Sequence, residues 1–302
     1  MKKLIIMLVT LSIFGICVIY NDEIINFIVQ NTIEANRKST QLSNNSYASS
    51  NNYSFVQLTD NFNPQSRQDI INIYYTVLNS GIDKFTFYCP TEYENCLNDV
   101  DSISNDRELL SNINNYVPVY NSFQDIVTEF DLLGKVDIIV YHSYTNQQII
   151  ELESTVNNII NNNITNTMTN EDKIKIIHDY IINNTKYDKA KSDNKVKLYN
   201  SDIAYGALIE HYAICGGYSD SMKLFLDKFG IENYKISSEN HIWNLVKLNN
   251  EWFHLDLTWD DPVTNTGEDV LEYDYFLITT EELQTLDTDQ HFFDKTIYTE
   301  AN

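Results

Sequence analysis

The feature that most constrains the fold is a pair of strand-like runs, HIWNLVKL and WFHLDLTW, which lie almost side by side within residues 241–259. Asn249 and Asn250 directly follow the first run, and asparagine tolerates the positive φ angles of a two-residue hairpin turn. Such a turn would place His241 and Asp256 on one face of the sheet as diagonal neighbours. A three-residue turn would place them on opposite faces. The spacing therefore predicts an antiparallel hairpin, and it allows a pair formed by these two side chains without requiring it.

A second constraint comes from the segment AICGGYSDS at residues 213–221, in which Cys215 is followed by two glycines. Apolar residues repeat at helical spacing from Tyr218 onward, and Gly230 suits the position just after a helix C-terminus. We therefore expect Cys215 in or just before the first turn, where helix N–H groups favour an anion such as a thiolate. The two glycines would leave its sulfur sterically open. A packed core cysteine is the alternative, because free cysteine is among the most buried residue types.

Cys215, His241 and Asp256 have the chemical types needed for a cysteine nucleophile, its base and an orienting carboxylate. One imidazole nitrogen can take the thiol proton, while a carboxylate at the other nitrogen holds the tautomer and stabilises the imidazolium. The backbone N–H of Cys215 is then a candidate donor to the oxyanion that forms when a carbonyl is attacked. We predict that these three residues are catalytic.

Two segments carry a resemblance to a known family, AYGALIEHYAICGGYSDSMKLFLDKFGI and HIWNLVKLNNEWFHLDLTWDDP. They resemble the transglutaminase-like superfamily of papain-type cysteine enzymes, particularly its bacterial cell-surface branch, and the resemblance extends over residues 147–293. The pattern of that family is a Cys-Gly-Tyr-like helix start, a His-Ala-Trp-Asn strand and a Trp-x-x-x-Asp-x-Thr strand. The resemblance implies an α+β fold with a papain-like core, in which the catalytic cysteine lies at a helix N-terminus packed against an antiparallel sheet.

The resemblance also assigns a role to each of the three residues. Cys215 matches the nucleophile, His241 the base and Asp256 the residue that orients the base. The chain departs from the family pattern at two positions, since Ile242 replaces the usual alanine and Gly217 is an additional glycine before the tyrosine. Neither departure removes a catalytic atom, although the larger side chain of Ile242 would narrow the cleft.

The same three residues can serve more than one reaction. A thioester at Cys215 is resolved by water in a peptidase or amidase, and by a primary amine in a protein-glutamine transglutaminase. We expect hydrolysis of a protein or peptide substrate at the cell surface or cell wall, because amine transfer needs a shielded site that excludes water. Transglutaminase activity is one alternative. A non-catalytic module that binds a peptide or a cell-wall fragment is the other.

The N-terminal residues indicate membrane targeting. Lys2 and Lys3 precede the apolar run LIIMLVTLSIFGICVIY, and no small-residue cleavage site follows that run. We expect residues 1–20 to be an uncleaved signal anchor in the cell membrane that holds the body of the chain outside the cytoplasm. A cleaved signal peptide and a secreted protein are the close alternative, and a buried core helix is a further one. Residues 21–54, which are rich in serine and asparagine, are expected to form a flexible stalk.

The rest of the chain divides into two predicted domains. Residues 55–146 are expected to form a small α/β domain for docking or substrate positioning, with KFTFYC and KVDIIVYH as strands. Residues 147–302 are expected to form the catalytic domain. Cys89 and Cys96 are close enough in sequence for a short-loop disulfide, and two unpaired thiols are an equal alternative.

Composition excludes several function classes. The chain has 43 acidic and 20 basic residues, and its formal net charge of −23 argues against nucleic acid or an anionic lipid surface as the main partner. Four cysteines without a C-x-x-C pair argue against a disulfide-dense scaffold and against a zinc or iron–sulfur site. His254 and Asp256 are close in sequence, but the spacing places no third nitrogen or sulfur ligand beside them for a metal ion. His178 lies within a predicted helix, where a structural role is expected. We therefore expect no cofactor and no metal.

Overall fold

The computed structural model describes residues 41–262, 270–286 and 289–301 of the 302-residue chain. Within these ranges helices are interspersed with three small sheets, so the fold is mixed α+β. The predicted signal anchor at residues 1–20 and the first part of the predicted stalk lie outside the described residues. In the described ranges, no helix has the length and apolar character needed to cross a membrane.

The helices of the described ranges follow the capping signals of the sequence. α1 ends at Gly81, whose φ of 71° allows the left-handed turn expected there. The side chains of Thr169 and Asp172 form a capping box at the start of α5. The helices are α1 (Arg67–Ser80), α2 (Cys96–Asn105), α3 (Arg107–Asn115), α4 (Asn146–Asn163), α5 (Asn170–Asn184), α6 (Lys189–Asn194), α7 (Cys215–Lys228) and α8 (Thr280–Leu286).

The strands form two antiparallel sheets and one short parallel pair. The first sheet has the order β1-β3-β2 and the second the order β6-β7-β8, while β4 pairs with β5. The runs KFTFYC and KVDIIVYH contain β1 and β3, which are neighbours in the first sheet. The strands are β1 (Lys84–Tyr88), β2 (Phe123–Phe130), β3 (Lys135–His142), β4 (Lys186–Tyr187), β5 (Tyr212–Ala213), β6 (Asn233–Ser237), β7 (Ile242–Leu248) and β8 (Glu251–Leu255).

The predicted hairpin is formed by β7 and β8, and its turn contains two residues. Asn249 and Asn250 have φ angles of 51° and 71°, and Leu248 lies opposite Glu251. This is the shorter of the two turns that the spacing allowed. Because the register follows from the turn, the residues just before β7 and just after β8 lie together at the open end of the hairpin.

The helix that begins at Cys215 packs against the second antiparallel sheet, as the family resemblance implies. α7 contacts β6 and β7. Met222 and Phe225 on its inner face are fully buried, and they belong to the same hydrophobic cluster as Val246 of β7. This packing holds the first turn of the helix close to the open end of the hairpin.

The hydrophobic core crosses the predicted boundary between the two domains. Ile70 and Phe85 from the first predicted domain belong to the same buried cluster as Tyr234 and Trp243 from the second. Residues 55–146, which we expect to form a small α/β domain, therefore share a buried cluster with later residues. Local periodicity shows which face of an element is buried, but it does not show which distant segments cover that face.

The second part of the predicted stalk packs on the body of the protein. The main-chain N–H of Ser49 donates to Oδ1 of Asn79 at 3.0 Å, and Nδ2 of Asn79 donates back to the Ser49 carbonyl at 2.9 Å. Tyr53 is buried, and its ring centroid lies 5.0 Å from that of Tyr116. Residues 41–54, the described part of the predicted flexible stalk, thus have partners on the body that their composition does not indicate.

Cys89 and Cys96 form a disulfide, which is one of the two alternatives that the spacing left open. Cys89 directly follows β1, and Cys96 is the first residue of α2. The bond therefore joins the end of a strand to the start of the next helix.

Candidate active site

Cys215 is the first residue of α7, and its half-buried side chain lines a cleft. It is the free cysteine of the described part of the chain. The main chain just before it is held by a hydrogen bond from the N–H of Ile214 to the carbonyl of Ser201, at 2.9 Å. The N–H groups of a first helical turn have no partners within the helix, so this position favours an anion.

The two glycines after Cys215 have a packing role. A Cβ atom on Gly216 would lie 2.5 Å from the main-chain oxygen of Asp202, and one on Gly217 would lie 2.5 Å from that of Ser201. A side chain does not fit at these distances, because the obstructing atoms belong to the backbone. The glycines therefore let the first turn of α7 pack directly on the preceding loop. The sequence suggests that the two glycines keep the Cys215 sulfur open. In the structure, their lack of side chains is explained by this close packing on the preceding loop.

His241 lies one residue before β7 and is buried, and it lines the same cleft as Cys215. A tight turn precedes it, in which the N–H of Ser238 donates to the carbonyl of His241 at 3.0 Å. The ring stacks on Trp243, with the two centroids 5.6 Å apart. The start of α7 and the open end of the hairpin thus bring the predicted nucleophile and base together.

Asp256 directly follows β8, so it lies at the same end of the hairpin as His241. Its Oδ2 is 2.5 Å from Nε2 of His241. Its Oδ1 accepts hydrogen bonds from the main-chain N–H groups of Thr258 at 2.9 Å and Trp259 at 3.3 Å. Because an ionised carboxylate only accepts hydrogen bonds, Nε2 of His241 carries a proton, and Nδ1 remains for the thiol.

The electrostatics of this pair favour a charged imidazole. Burial opposes protonation of His241, but the charge and hydrogen bond of Asp256, with a smaller contribution from Cys215, raise its pKa to about 10. Burial also opposes ionisation of Asp256, but the charge and hydrogen bond of His241 and a hydrogen bond from His291 hold its pKa well below the usual range. The two side chains form an imidazolium–carboxylate pair at neutral pH. An imidazolium beside a thiol stabilises the thiolate.

His291 is a further residue at this site, which the sequence patterns did not predict. Its Nε2 lies 2.9 Å from Oδ2 of Asp256, the same oxygen that contacts His241. The ring is buried and stacks on Tyr275, with centroids 5.0 Å apart. His291 is 35 residues from Asp256 along the chain, in a segment reading QHFFD. The only signal in the sequence is a histidine next to aromatic residues in a chain that has six histidines.

The side chains of His241, Asp256 and His291 also form a set of donors that could hold a metal ion. One ligand atom from each lies within 4.8 Å of the other two. The two N···O separations, 2.5 and 2.9 Å, are those of hydrogen bonds with a bridging proton. A zinc ion needs about 2.0–2.2 Å to each nitrogen or oxygen ligand, so the three groups would have to move apart to admit it. The arrangement therefore fits a hydrogen-bonded network better than a metal centre.

Two other buried histidines have structural partners. Nδ1 of His254 accepts a hydrogen bond from Nε1 of Trp243 at 2.9 Å, and its Nε2 lies 3.0 Å from Oγ1 of Thr280. Burial, assisted by the nearby charge of a neighbouring histidine, lowers the pKa of His254 to about 3, so its ring is neutral. Nε2 of His178 lies 3.0 Å from Oδ2 of Asp260. Both buried rings thus form hydrogen bonds within the core, which agrees with the structural role expected for His178.

The cleft beside Cys215 has a volume of about 1460 Å³. It is lined by α3, by residues 237–242 and by residues 291–296 near the C-terminus. α3 lies in the first predicted domain, so that part of the chain contributes directly to the cleft. Side chains of both charges line the cleft: Arg107, Glu108, Glu239, Asp294 and Lys295.

Residues 157–257 match the family model described as the transglutaminase-like superfamily. The matched segment contains Cys215, His241 and Asp256, and it includes the helix and the hairpin that position them. No curated protein matches the chain.

Two solved structures resemble parts of this chain. One is the crystal structure of a TGase, with 15% identity and a TM-score of 0.34, and the match covers 45% of this chain and 44% of that chain. The other is a protein of Cytophaga hutchinsonii described as a candidate cysteine protease, with 10% identity and a TM-score of 0.28. That match covers 49% of this chain and 65% of the other. The chain therefore spans less than half of the first protein and less than two-thirds of the second.

The family match confirms the resemblance that we drew from the cysteine-bearing helix and the two strands of the hairpin. It covers one continuous part of the chain, from the end of α4 to the residue after Asp256. What the chain shares with the transglutaminase-like superfamily is thus the segment of residues 157–257, which matches the model of that family.

Proposed function

We propose that this protein is a cysteine enzyme that hydrolyses amide bonds of proteins or peptides, with Cys215, His241 and Asp256 as its catalytic residues. One observation carries the proposal: Cys215 and His241 line the same cleft, and Nε2 of His241 lies 2.5 Å from Oδ2 of Asp256. The cleft that Cys215 and His241 line gives a substrate access to them. The family match supports the same reading, since this superfamily contains cysteine peptidases and transglutaminases.

In the proposed reaction, the thiol proton of Cys215 already lies on Nδ1 of the His241 imidazolium, and the thiolate sulfur attacks the carbonyl carbon of the amide. The backbone N–H of Cys215 donates to the oxyanion of the tetrahedral intermediate. The C–N bond breaks as the imidazolium returns its proton to the leaving amine, and a thioester remains at Cys215. Water then gives a proton to His241 and attacks the thioester, which releases a carboxylic acid and restores the thiolate of Cys215 beside the imidazolium.

The openness of the cleft supports hydrolysis. The Cys215 side chain is only half-buried, in the wall of a cleft of about 1460 Å³. Water, which is always the more abundant acceptor, can reach a thioester in such a position. Amine transfer requires a site that holds the amine and excludes water while the thioester lasts.

Transglutaminase activity is the second candidate, and the charges of the cleft favour it. Acidic side chains outnumber basic ones in the cleft, with Glu108, Glu239 and Asp294 against Arg107 and Lys295. Carboxylates attract the ammonium group of a lysine side chain, which is the acceptor in a crosslinking reaction. The same thioester at Cys215 would then be resolved by the lysine amine, which forms an isopeptide bond.

The two reactions can be separated with two assays on the wild-type protein and on Cys215→Ala. One assay supplies a peptide library and measures new amino termini. The other supplies a glutamine-containing protein with a labelled primary amine and measures its incorporation. We expect cleavage that depends on Cys215 and exceeds incorporation. The reverse ratio would establish transglutaminase activity, and the absence of any Cys215-dependent product would favour a non-catalytic binding module.

We also propose that the body of the protein is extracytoplasmic, with residues 1–20 as a signal anchor and a protein or peptide at the cell surface or cell wall as substrate. The disulfide of Cys89 and Cys96 supports this location, because such bonds persist mainly in oxidising compartments. Sequencing the N-terminus of the mature protein and digesting intact cells with protease provide the test. A mature N-terminus near Asn21 would indicate a secreted protein, and a protease-resistant body would place it inside the cell.

A further inference from the structure

We propose that His291 is a positioning residue for this reaction, because it donates a hydrogen bond to the same Asp256 oxygen that accepts one from His241. The inference rests on the proposed function, in which Asp256 orients His241. His291 would fix the carboxylate and limit its pull on the proton of the His241 ring.

The hydrogen bonds of the Asp256 carboxylate show that its two oxygens have different partners. Oδ1 is held by the main-chain N–H groups of Thr258 and Trp259, at 2.9 and 3.3 Å. Oδ2 has two side-chain partners, Nε2 of His241 at 2.5 Å and Nε2 of His291 at 2.9 Å. Since a carboxylate only accepts hydrogen bonds, His291 must carry its proton on Nε2 to make this contact. The catalytic oxygen is therefore shared by two imidazole donors.

Packing alone explains an aromatic ring at position 291, but it does not explain a histidine. Only 3% of His291 is exposed. Its ring centroid lies 4.8 Å from that of Trp243, 5.1 Å from that of Trp259 and 5.0 Å from that of Tyr275. Phenylalanine would fill such an enclosure without burying an N–H group, which is costly unless the group is hydrogen-bonded. The hydrogen bond to the Asp256 oxygen offsets that cost and makes a histidine favourable here.

The shared oxygen has a consequence for the base. A second donor withdraws electron density from Oδ2, so Asp256 binds the His241 proton less strongly than it would with one donor. The proton then stays on His241, which must keep its orientation and still exchange a proton at Nδ1 in each half of the reaction. Loss of the His291 donor should therefore lower kcat more than it changes KM.

The matched pair His291→Gln and His291→Asn isolates the hydrogen bond. Both variants bury the same amide group, but only glutamine has the length to place its nitrogen near the Nε2 position of histidine. We expect kcat in His291→Gln to stay within about threefold of wild type and kcat in His291→Asn to fall about 10- to 100-fold, the range for losing a hydrogen bond to a buried charge. Thermal unfolding of both variants measures their fold stability. If His291→Asn does not fold, His291→Phe, which keeps the ring and lacks the donor, replaces it.

Proton NMR of histidine-labelled protein provides a second readout that does not depend on turnover. The Nε2 proton of His241, in its hydrogen bond to Asp256, should move further downfield in His291→Asn and stay near its wild-type position in His291→Gln. Equal resonances and equal kcat in the two variants would overturn the role of His291. If the wild-type protein gives no Cys215-dependent product, the proposed function fails. The chemical shift of the His241 Nε2 proton in the two variants then decides by itself whether His291 acts on the His241–Asp256 pair.

Discussion

The Nε2 atom of His241 lies 2.5 Å from Oδ2 of Asp256, and 15 positions separate the two residues along the chain. The contact joins the residue before β7 to the residue after β8, and the two-residue turn at the far end of the hairpin sets the register that brings them together. Its electrostatic consequence is a buried histidine whose pKa is raised, although burial alone would lower it.

Replacing the carboxylate should reverse that shift. In Asp256→Asn the charge is lost and burial dominates, so the pKa of His241 should fall from about 10 to below its ordinary value of 6.5. Turnover should fall by about 10⁴-fold, as in other enzymes that lose the carboxylate behind a catalytic histidine. An NMR titration of the ring and a rate assay measure the two effects. Asp193→Asn, an exposed position in α6, should change neither, and an unshifted His241 in Asp256→Asn would contradict the electrostatic explanation.

The raised pKa of His241 also predicts how stability depends on pH. A group that binds its proton more tightly in the folded state stabilises the fold fully below its unfolded pKa, here about 6.5, and that contribution disappears as pH rises through about 10. The denaturant midpoint of wild type should therefore fall more steeply from pH 7 to 10 than that of His241→Gln. Parallel curves for the two proteins would show that His241 is not protonated in this range.

The close packing at the start of α7 predicts an effect of Gly216→Ala on both stability and the thiol. The added Cβ meets a main-chain oxygen at 2.5 Å, and overpacking of this kind costs about 1–3 kcal/mol. Gly230→Ala is the matched control at the other end of the helix, where φ is 68° and the Cβ has open space. It should cost about 1–2 kcal/mol through its left-handed backbone. Only Gly216→Ala should change the alkylation rate of Cys215, and similar rates in both variants would argue against a packing constraint on the thiol.

The hairpin turn predicts opposite outcomes for two substitutions at one position. Asn250 has a φ of 71°, which glycine adopts freely and alanine adopts at a cost of about 1–2 kcal/mol. Asn250→Ala should therefore lower the free energy of unfolding, while Asn250→Gly should leave it unchanged or raise it. Denaturant unfolding of both variants provides the measurement. Equal stability of the two would mean that the turn does not have this backbone.

The parts of the site that the sequence predicted are those set by local rules. Asn249 and Asn250 determine the hairpin turn, and the turn determines the register that brings His241 to Asp256. Cys215 could be placed at the start of a helix because the apolar pattern after it and Gly230 define both ends. These are interactions over a few residues, for which composition and spacing are sufficient.

The parts that the sequence did not predict depend on contacts between distant segments. His291 reaches Asp256 only after the C-terminal segment has packed against the hairpin, and no spacing rule links the two positions. Ser49 lies in the predicted flexible stalk, and Asn79 of α1 forms hydrogen bonds with it that composition does not show. Likewise Tyr234 packs in one buried cluster with residues of the predicted small α/β domain, a contact that local periodicity does not show.

The rate at which iodoacetamide alkylates Cys215 at pH 6 tests most directly whether His241 and Asp256 activate its thiol. Cys17 lies outside the described residues, so the full-length protein carries Cys17→Ala in every sample. An ordinary thiol, with a pKa of about 8.5, is almost fully protonated at this pH and reacts slowly. We predict rapid alkylation of the otherwise wild-type protein, a rate at least about tenfold lower in His241→Ala, and no change in His142→Ala, whose histidine lies in β3. Slow alkylation at the same rate in all three proteins would contradict the proposed activation of Cys215.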